Sequence, residues 1–258
     1  MNDGKKKSVF FWQLDIDIEG SKLVSKFLSQ PSSLRVVYLN RNYIEASGMR
    51  GICQSLKFNK SITLLDLSHN IIGSEGVSHI RDCLLVNRAL KSLILTNNFI
   101  KEEGGGHLSN ILEESELEML FVNHNQLGSS VSLISDSLAH NKKLKLFDLS
   151  FNFIGEKCAN KFLKCLRTNQ CLTQLFIYGN DFDDNIEQAM DKEVSLNFYL
   201  SQIHVRAKIS LLILQKRNDG HPINKVPRRL LIYILSFLNL PPKSLPKPKK
   251  RCKKMKFH

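Results

Sequence analysis

A pattern of apolar residues and asparagine recurs along this chain at an almost constant period, and it constrains the fold more than any other feature. In each copy, apolar residues occupy positions 1, 4, 6 and 11, and asparagine occupies position 9. The copies begin 28, 28, 27, 27 and 28 residues apart, at Leu34, Ile62, Leu90, Leu117, Leu144 and Leu172. Such a period indicates a solenoid, in which each repeat forms one coil and buries its apolar face against its neighbours.

The first half of each copy predicts a short β-strand followed by a turn. Positions 4 and 6 are two residues apart, so both side chains lie on the same face of a strand. The asparagine at position 9 comes where the chain turns, and a buried amide there needs hydrogen-bond partners. Carbonyls of adjacent coils can supply these partners. We therefore predict a ladder that joins the coils, formed by Asn42, Asn70, Asn98, Asn125, Asn152 and Asn180.

The second half of each copy has the spacing of an amphipathic helix. Ile52 and Leu56 are apolar residues four positions apart, and Ile80 and Leu84 repeat this pair one coil later. A glycine slot is expected just before the helix, at Gly48, Gly76 and Gly104. An asparagine slot is expected at its end, at Asn59, Asn87, Asn141, Asn169 and Asn197.

A strand and a helix within about 28 residues resemble the ribonuclease-inhibitor-like leucine-rich repeat. The resemblance covers residues 14–205. It implies an α/β fold, a leucine-rich-repeat solenoid or horseshoe with an inner parallel sheet and outer helices. This fold serves many different partners, so the partner must be inferred from the surface residues of this chain.

The segments on either side of the six repeats predict cap coils. One period before the first repeat, Leu14 stands in the asparagine position; one period after the last, Leu200, Ile203 and Val205 keep the apolar positions. Terminal coils of a solenoid are atypical because they have a neighbour on one side only. The expected organisation is a solenoid at 9–208, with six full repeats from 34 to 199, a helical segment at 209–240 and a disordered tail at 241–258.

Residues 226–238 form an apolar segment that begins with a proline and has several interpretations. The segment resembles the opening of an F-box, but Pro241 and Pro242 interrupt the remainder, and Arg229 stands where F-boxes usually carry an acid. An F-box-like element would make the protein a substrate receptor of a ubiquitin ligase. A capping helix docked on the solenoid and an element on a membrane surface are the other two interpretations.

The tail is strongly basic. The chain has a net charge of +13, and eight positive charges without any acid fall between residues 243 and 256. The segment resembles a basic nuclear-import signal, and such runs also bind nucleic acid or anionic membranes or remain solvated. Its principal residues are Lys249, Lys250, Arg251, Lys253 and Lys254. Together with the absence of a secretory leader pattern, this predicts an intracellular protein, cytoplasmic with possible nuclear targeting.

The sequence contains no recognisable catalytic or metal-binding motif, so no catalytic residue, metal or cofactor is expected. Asp66 and Asp148 are three coils apart, roughly 14 Å, which is too far for a paired acid and base. His69 and His124 are two coils apart, roughly 10 Å, which is too far for one metal ion. The cysteines are interpreted as small buried thiols.

The outward positions of the strands are the predicted partner-binding site. Aromatic and arginine side chains exposed together are typical of protein interfaces. The candidates are Tyr38, Arg41, Asp66, His69, Phe121, His124, Asp148, Phe151, Phe176 and Tyr178, with aromatics more frequent toward the C-terminal coils. The expected function is a non-enzymatic protein-interaction module that binds its partner on the concave face. It resembles both eukaryotic regulators and bacterial effectors that act inside host cells.

Overall fold

A computed structural model describes the backbone of residues 7–214 and the side chains of residues 7–202. Short strands alternate with helices throughout this part of the chain. The strands are β1 Ser8–Phe10, β2 Val36–Tyr38, β3 Leu64–Asp66, β4 Ser92–Ile94, β5 Met119–Phe121, β6 Leu146–Asp148 and β7 Gln174–Phe176. The helices are α1 Ile18–Leu28, α2 Ala46–Leu56, α3 Gly73–Leu84, α4 Glu102–Glu114, α5 Val131–His140, α6 Glu156–Leu166 and α7 Asp184–Leu214.

The strands form one parallel sheet in which the spatial order follows the sequence, from β1 to β7. Equivalent repeat positions pair across neighbouring strands, as in Val37 with Leu65 and Leu65 with Leu93. The 27- and 28-residue spacing thus appears directly as sheet register, and the predicted α/β leucine-rich-repeat solenoid is confirmed.

The core lies between the sheet and the helices. Val37 and Leu39, at positions 4 and 6, are fully buried, as are Ile44 at position 11 and Ile52 on α2. Since these four positions recur in each coil, one continuous apolar core runs along the array.

The glycine slot differs from the prediction. Gly48, Gly76 and Gly104 lie in the first turn of their helices rather than before them. Each helix starts close to the apolar residue at position 11, and a Cβ at Gly76 would overlap the side chain of Ile72. The glycine therefore permits close packing of the helix start.

The asparagine side chains at position 9 bridge neighbouring coils. The Oδ1 atom of Asn125 accepts from the backbone N–H groups of Asn98 and Ile100, both at 3.0 Å. Its Nδ2 atom donates to the carbonyls of Leu95, at 3.0 Å, and Val122, at 2.8 Å. The other members repeat this arrangement with small variations: Asn42, Asn70, Asn98, Asn152 and Asn180.

A second asparagine ladder lies at the opposite edge of the sheet, where the sequence predicted only helix ends. The Nδ2 atom of Asn87 donates to the carbonyls of Leu56, at 2.6 Å, and Asn59, at 3.0 Å, in the preceding coil. Its Oδ1 atom accepts from the N–H groups of Ala89 and Leu90. Asn169 makes equivalent bonds, to the carbonyls of Leu138 and Asn141. Asn197 keeps the bond to the carbonyl 28 residues earlier, that of Asn169, and donates also to the carbonyl of Leu172. Both edges of the coils are therefore tied together by buried amides.

The expected cap coil at the C-terminal end is not formed. Residues 200–205 continue helix α7 instead of turning back into a coil. Asn197, which was expected to end a helix, lies inside α7 and donates to the carbonyls of Asn169 and Leu172. The compact unit that carries the repeats ends at Tyr199, and a second unit begins at Leu200.

The F-box-like segment at 226–238 and the basic tail at 241–258 lie outside the described residues, as does most of the predicted helical segment at 209–240. None of the described helices combines the length and the apolar run that a membrane span needs.

Candidate protein-binding surface

The side of the sheet opposite the helices carries most of the candidate residues, and we call it the concave strip. In a typical strand the middle residue is buried while the flanking residues point away from the helices, as Val36 and Tyr38 flank the buried Val37. Residues at positions 7 and 8, which follow the buried position 6 after each strand, extend the strip. Arg41, His69, His124, Phe151, Phe176 and Tyr178 are exposed, and Tyr38, Asp66 and Phe121 are half-buried.

Three side chains from consecutive coils form a continuous aromatic run at the C-terminal end of the strip. The ring of His124 stacks on Phe151, with centroids 4.3 Å apart and planes 14° apart. Phe151 in turn meets Tyr178 edge to face, at 5.3 Å and 89°. Phe151 and Tyr178 nevertheless remain 40% and 48% exposed. The rings hold one another in place while keeping a surface open to solvent.

The backbone also holds this run in position. Phe151 has φ of 53°, a left-handed conformation that bulky residues rarely adopt. The turn imposes this conformation on position 8 in every coil, where Arg41, His69, Asn97 and His124 have it too. Gly179 occupies the slot in the last coil, and a Cβ there would overlap the ring of Phe151. The glycine therefore makes room for the exposed phenylalanine.

An aromatic pair at the N-terminal end of the strip was missed by the sequence reasoning. Phe10 stacks on Tyr38 with centroids 4.9 Å apart and planes within 5°. Phe10 is 61% exposed, and Trp12, two residues later, is also exposed. Counting one period back from Tyr38 leads to Phe10, so the repeat contained the necessary information. The prediction that aromatics gather toward the C-terminal coils is therefore incomplete.

The middle of the strip carries polar side chains that form hydrogen bonds beside the half-buried Ile94. The Nδ1 atom of His69 is 3.0 Å from the Nδ2 atom of Asn97 in the next coil. The carboxylate of Asp66 accepts from the N–H of Ser68, at 2.9 Å, and from its hydroxyl, at 2.7 Å. This region separates the two aromatic ends.

Asp148 does not belong to the exposed strip. Its side chain is buried, with 8% of the residue exposed, and its carboxylate accepts from the N–H of Ser150 at 3.0 Å. It lies in register between Phe121 and Phe176 on the neighbouring strands. The expected exposure of Asp148 is therefore not observed, because position 5 is covered in this coil, and its role in partner binding stays a prediction.

The structure does not assemble the acids or histidines of the strip into a reactive centre. Asp66 and Asp148 each cap their own strand end, and His69 and His124 contact different neighbours. Among the residues with described side chains, no three histidine, cysteine or acidic groups are grouped as metal ligands.

The cysteine thiols of the helices are packing residues in the described part of the chain. Cys83 and Cys165 occupy the same helix slot, and both are buried. Burial raises the pKa of the Cys165 thiol to about 12, so it stays protonated at neutral pH.

Comparisons with known proteins support the repeat assignment. The family described as Leucine Rich repeat matches residues 58–80. No curated protein sequence matches the chain. The match and the strand–helix architecture identify a leucine-rich-repeat array.

Solved structures with a similar arrangement include actin-binding site 2 of leiomodin-1 and a tropomodulin C-terminal domain from Caenorhabditis elegans. The leiomodin-1 domain is 18% identical, with a TM-score of 0.48, over 76% of this chain and 98% of that one. The tropomodulin domain is 12% identical, with a TM-score of 0.47, over 72% of this chain and 97% of that one.

Proposed function

We propose that this protein is a non-enzymatic interaction module that binds a protein partner on its concave strip. The observation that carries the proposal is the aromatic run of His124, Phe151 and Tyr178, which is ordered by ring–ring contacts and still open to solvent. Preordered aromatic side chains bind with a small loss of conformational entropy, and such residues dominate interface energies.

The ring contacts of Phe151, rather than its backbone, distinguish it as a binding residue. Phe99 and Phe153 also have a positive φ and are exposed. Phe151 differs from them in being held between the rings of His124 and Tyr178.

The alternative of a ubiquitin-ligase receptor depends on residues 226–238. The basic run at 249–254 fits an adaptor or effector that acts inside cells, in the cytoplasm or the nucleus. In either version the concave strip selects the bound protein.

The test is a comparison of photo-crosslinking at two exposed sites. A photoreactive amino acid replaces Tyr178 on the strip in one variant and Leu133 on helix α5 in the other; both residues are about half exposed. In the cell that expresses the protein, we expect a specific cross-linked protein from position 178 alone. Purified partner should then bind Phe151→Ala/Tyr178→Ala at least tenfold more weakly, roughly 1.4 kcal/mol or more.

The control variant is Leu133→Ala, which removes an exposed side chain of the outer layer and should bind the partner as the wild type does. A partner that cross-links only through position 133, or that binds the double variant with unchanged affinity, would show that the strip is not the site.

A further inference from the structure

Phe58 is the most exposed large hydrophobic residue in the described part of the chain, at 74%. It lies just after α2, directly before the asparagine of the second ladder, and Val86 occupies the same slot in the next coil, at 43%. The fold does not require an apolar residue there, because Glu114, His140 and Thr168 fill the slot in the following three coils. Two adjacent coils therefore expose apolar side chains at a slot where the repeat also tolerates polar residues.

These two residues line one groove between neighbouring coils. The groove has a volume of about 430 Å³, and its walls include Lys57, Phe58, Lys60, Val86 and Arg88. We call these five residues the basic edge. The bonds of Asn87 to the carbonyls of Leu56 and Asn59 fix the two coils relative to each other. The apolar and cationic groups are therefore held close together on a rigid support.

The positive charge of the basic edge is uncompensated. Residues 57–63 and 85–91 contain no aspartate or glutamate. Among the described residues, no carboxylate forms an ion pair with Lys57, Lys60 or Arg88, and nearby Asp82 is paired with Arg81 at 2.6 Å.

The next coil offers a direct contrast. There the equivalent segment carries Glu114 and Glu116 in place of the apolar and basic residues, and Glu116 pairs with Lys143 at 2.9 Å and Lys91 at 3.5 Å. The hydrogen bond from Lys143 lowers the pKa of Glu116. Desolvation opposes this shift, and the charges of Lys143 and Lys91 add to the lowering. Glu116 thus pairs with two lysines, whereas Lys57, Lys60 and Arg88 have no carboxylate partner among the described residues. Arg88 donates to the backbone carbonyls of Glu114 and Leu85, which carry no formal charge.

We propose that the basic edge is a docking site for an anionic lipid surface. Phe58 and Val86 would enter the boundary between headgroups and acyl chains, while Lys57, Lys60 and Arg88 contact lipid phosphates. The aliphatic residues favour lipid over nucleic acid. Single strands are bound by stacking on several flat rings, whereas here Phe58 offers one ring and the neighbouring exposed residues Val86 and Leu85 are aliphatic. This site is separate from the concave strip, so its test is independent of the proposed protein partner.

A tryptophan placed at the site reports insertion without interference from the basic tail. Trp12 is the only tryptophan of the chain, and the reporter is the full-length Trp12→Phe/Phe58→Trp variant. We expect its emission to shift to shorter wavelength with vesicles of phosphatidylcholine and phosphatidylserine, and brominated acyl chains to quench it. The shift should be absent with phosphatidylcholine alone and should decrease with salt.

The matched control places the reporter at Phe153, which is 65% exposed and lies beyond the other end of the strands. Trp12→Phe/Phe153→Trp should show neither the shift nor the quenching. In the wild-type background, Lys60→Ala should weaken binding to the anionic vesicles about fivefold. Lys157→Ala, which removes an exposed lysine from the start of α6, should have little effect.

Three outcomes would overturn the proposal. The first is the same emission for the Phe58→Trp reporter with and without anionic vesicles. The second is equal quenching of the reporters at 58 and 153. The third is a shift at position 58 caused by a single-stranded oligonucleotide and not by vesicles, which would assign the basic edge to nucleic acid.

Discussion

Two coils of this solenoid share the sequence Asp-Leu-Ser-x-Asn, at residues 66–70 and 148–152, and yet their surfaces differ. Asp66 is half-buried, whereas Asp148 is only 8% exposed. Asp66 lies in register between Tyr38 and Ile94, and the Tyr38 ring is stacked on Phe10 in the coil beyond. Asp148 lies between two phenylalanines, at 121 and 176. The difference shows that side chains on neighbouring strands decide which position-5 residue is available to a partner.

The serine of the shared sequence differs as well. The hydroxyl of Ser68 donates to the Asp66 carboxylate at 2.7 Å. Ser150 is fully buried, and its hydroxyl is the one buried side-chain polar atom without a hydrogen-bond partner among the described residues. The same pentapeptide thus satisfies its polar groups in one coil and leaves one unsatisfied in the other.

The largest effects should be common to both coils. Asn70→Ala and Asn152→Ala each remove a buried amide that bridges adjacent coils, and each should lower the free energy of unfolding by about 1–3 kcal/mol. Denaturant unfolding of the two variants measures this. A wild-type unfolding midpoint for either one would mean that the ladder does not contribute in that coil.

A medium effect should separate the two aspartates. Asp148→Ala leaves the N–H of Ser150 without its acceptor in a buried position, with an expected cost of about 1–3 kcal/mol. Asp66→Ala should cost about 1 kcal/mol or less, because water can replace the lost acceptor at a half-exposed site. Equal losses in the same unfolding experiment would show that burial does not distinguish these carboxylates.

The smallest effects should differ in sign. Ser68→Ala loses one hydrogen bond to a half-exposed carboxylate and should destabilise by about 0.5 kcal/mol, whereas Ser150→Ala removes an unsatisfied buried hydroxyl and should be neutral or stabilising by up to about 0.5 kcal/mol. Thermal unfolding of both variants checks the sign. Destabilisation by both would indicate that the Ser150 hydroxyl makes a favourable contact after all.

The period alone determined the alternation of strands and helices through the six repeats. Apolar residues at positions 4, 6 and 11 predicted the buried Val37, Leu39 and Ile44, because two residues on one strand face must point the same way. The asparagine at position 9 predicted the first ladder, because a buried amide needs partners that only adjacent coils provide. These inferences hold in the first five repeats, since each depends on contacts that the repeat itself reproduces. In the sixth repeat Phe182, at position 11, is only partly buried.

The tertiary structure decided what the repeat leaves variable. The burial of Asp148, the stacking of His124 on Phe151 and the pairing of Phe10 with Tyr38 depend on which side chains meet across strands about 28 residues apart in the chain. The second asparagine ladder could not be predicted from the sequence, because the sequence does not give the distance from each helix end to the carbonyls of the preceding coil. A one-dimensional pattern specifies which positions are equivalent, whereas packing between unlike side chains at those positions determines which remain exposed for binding.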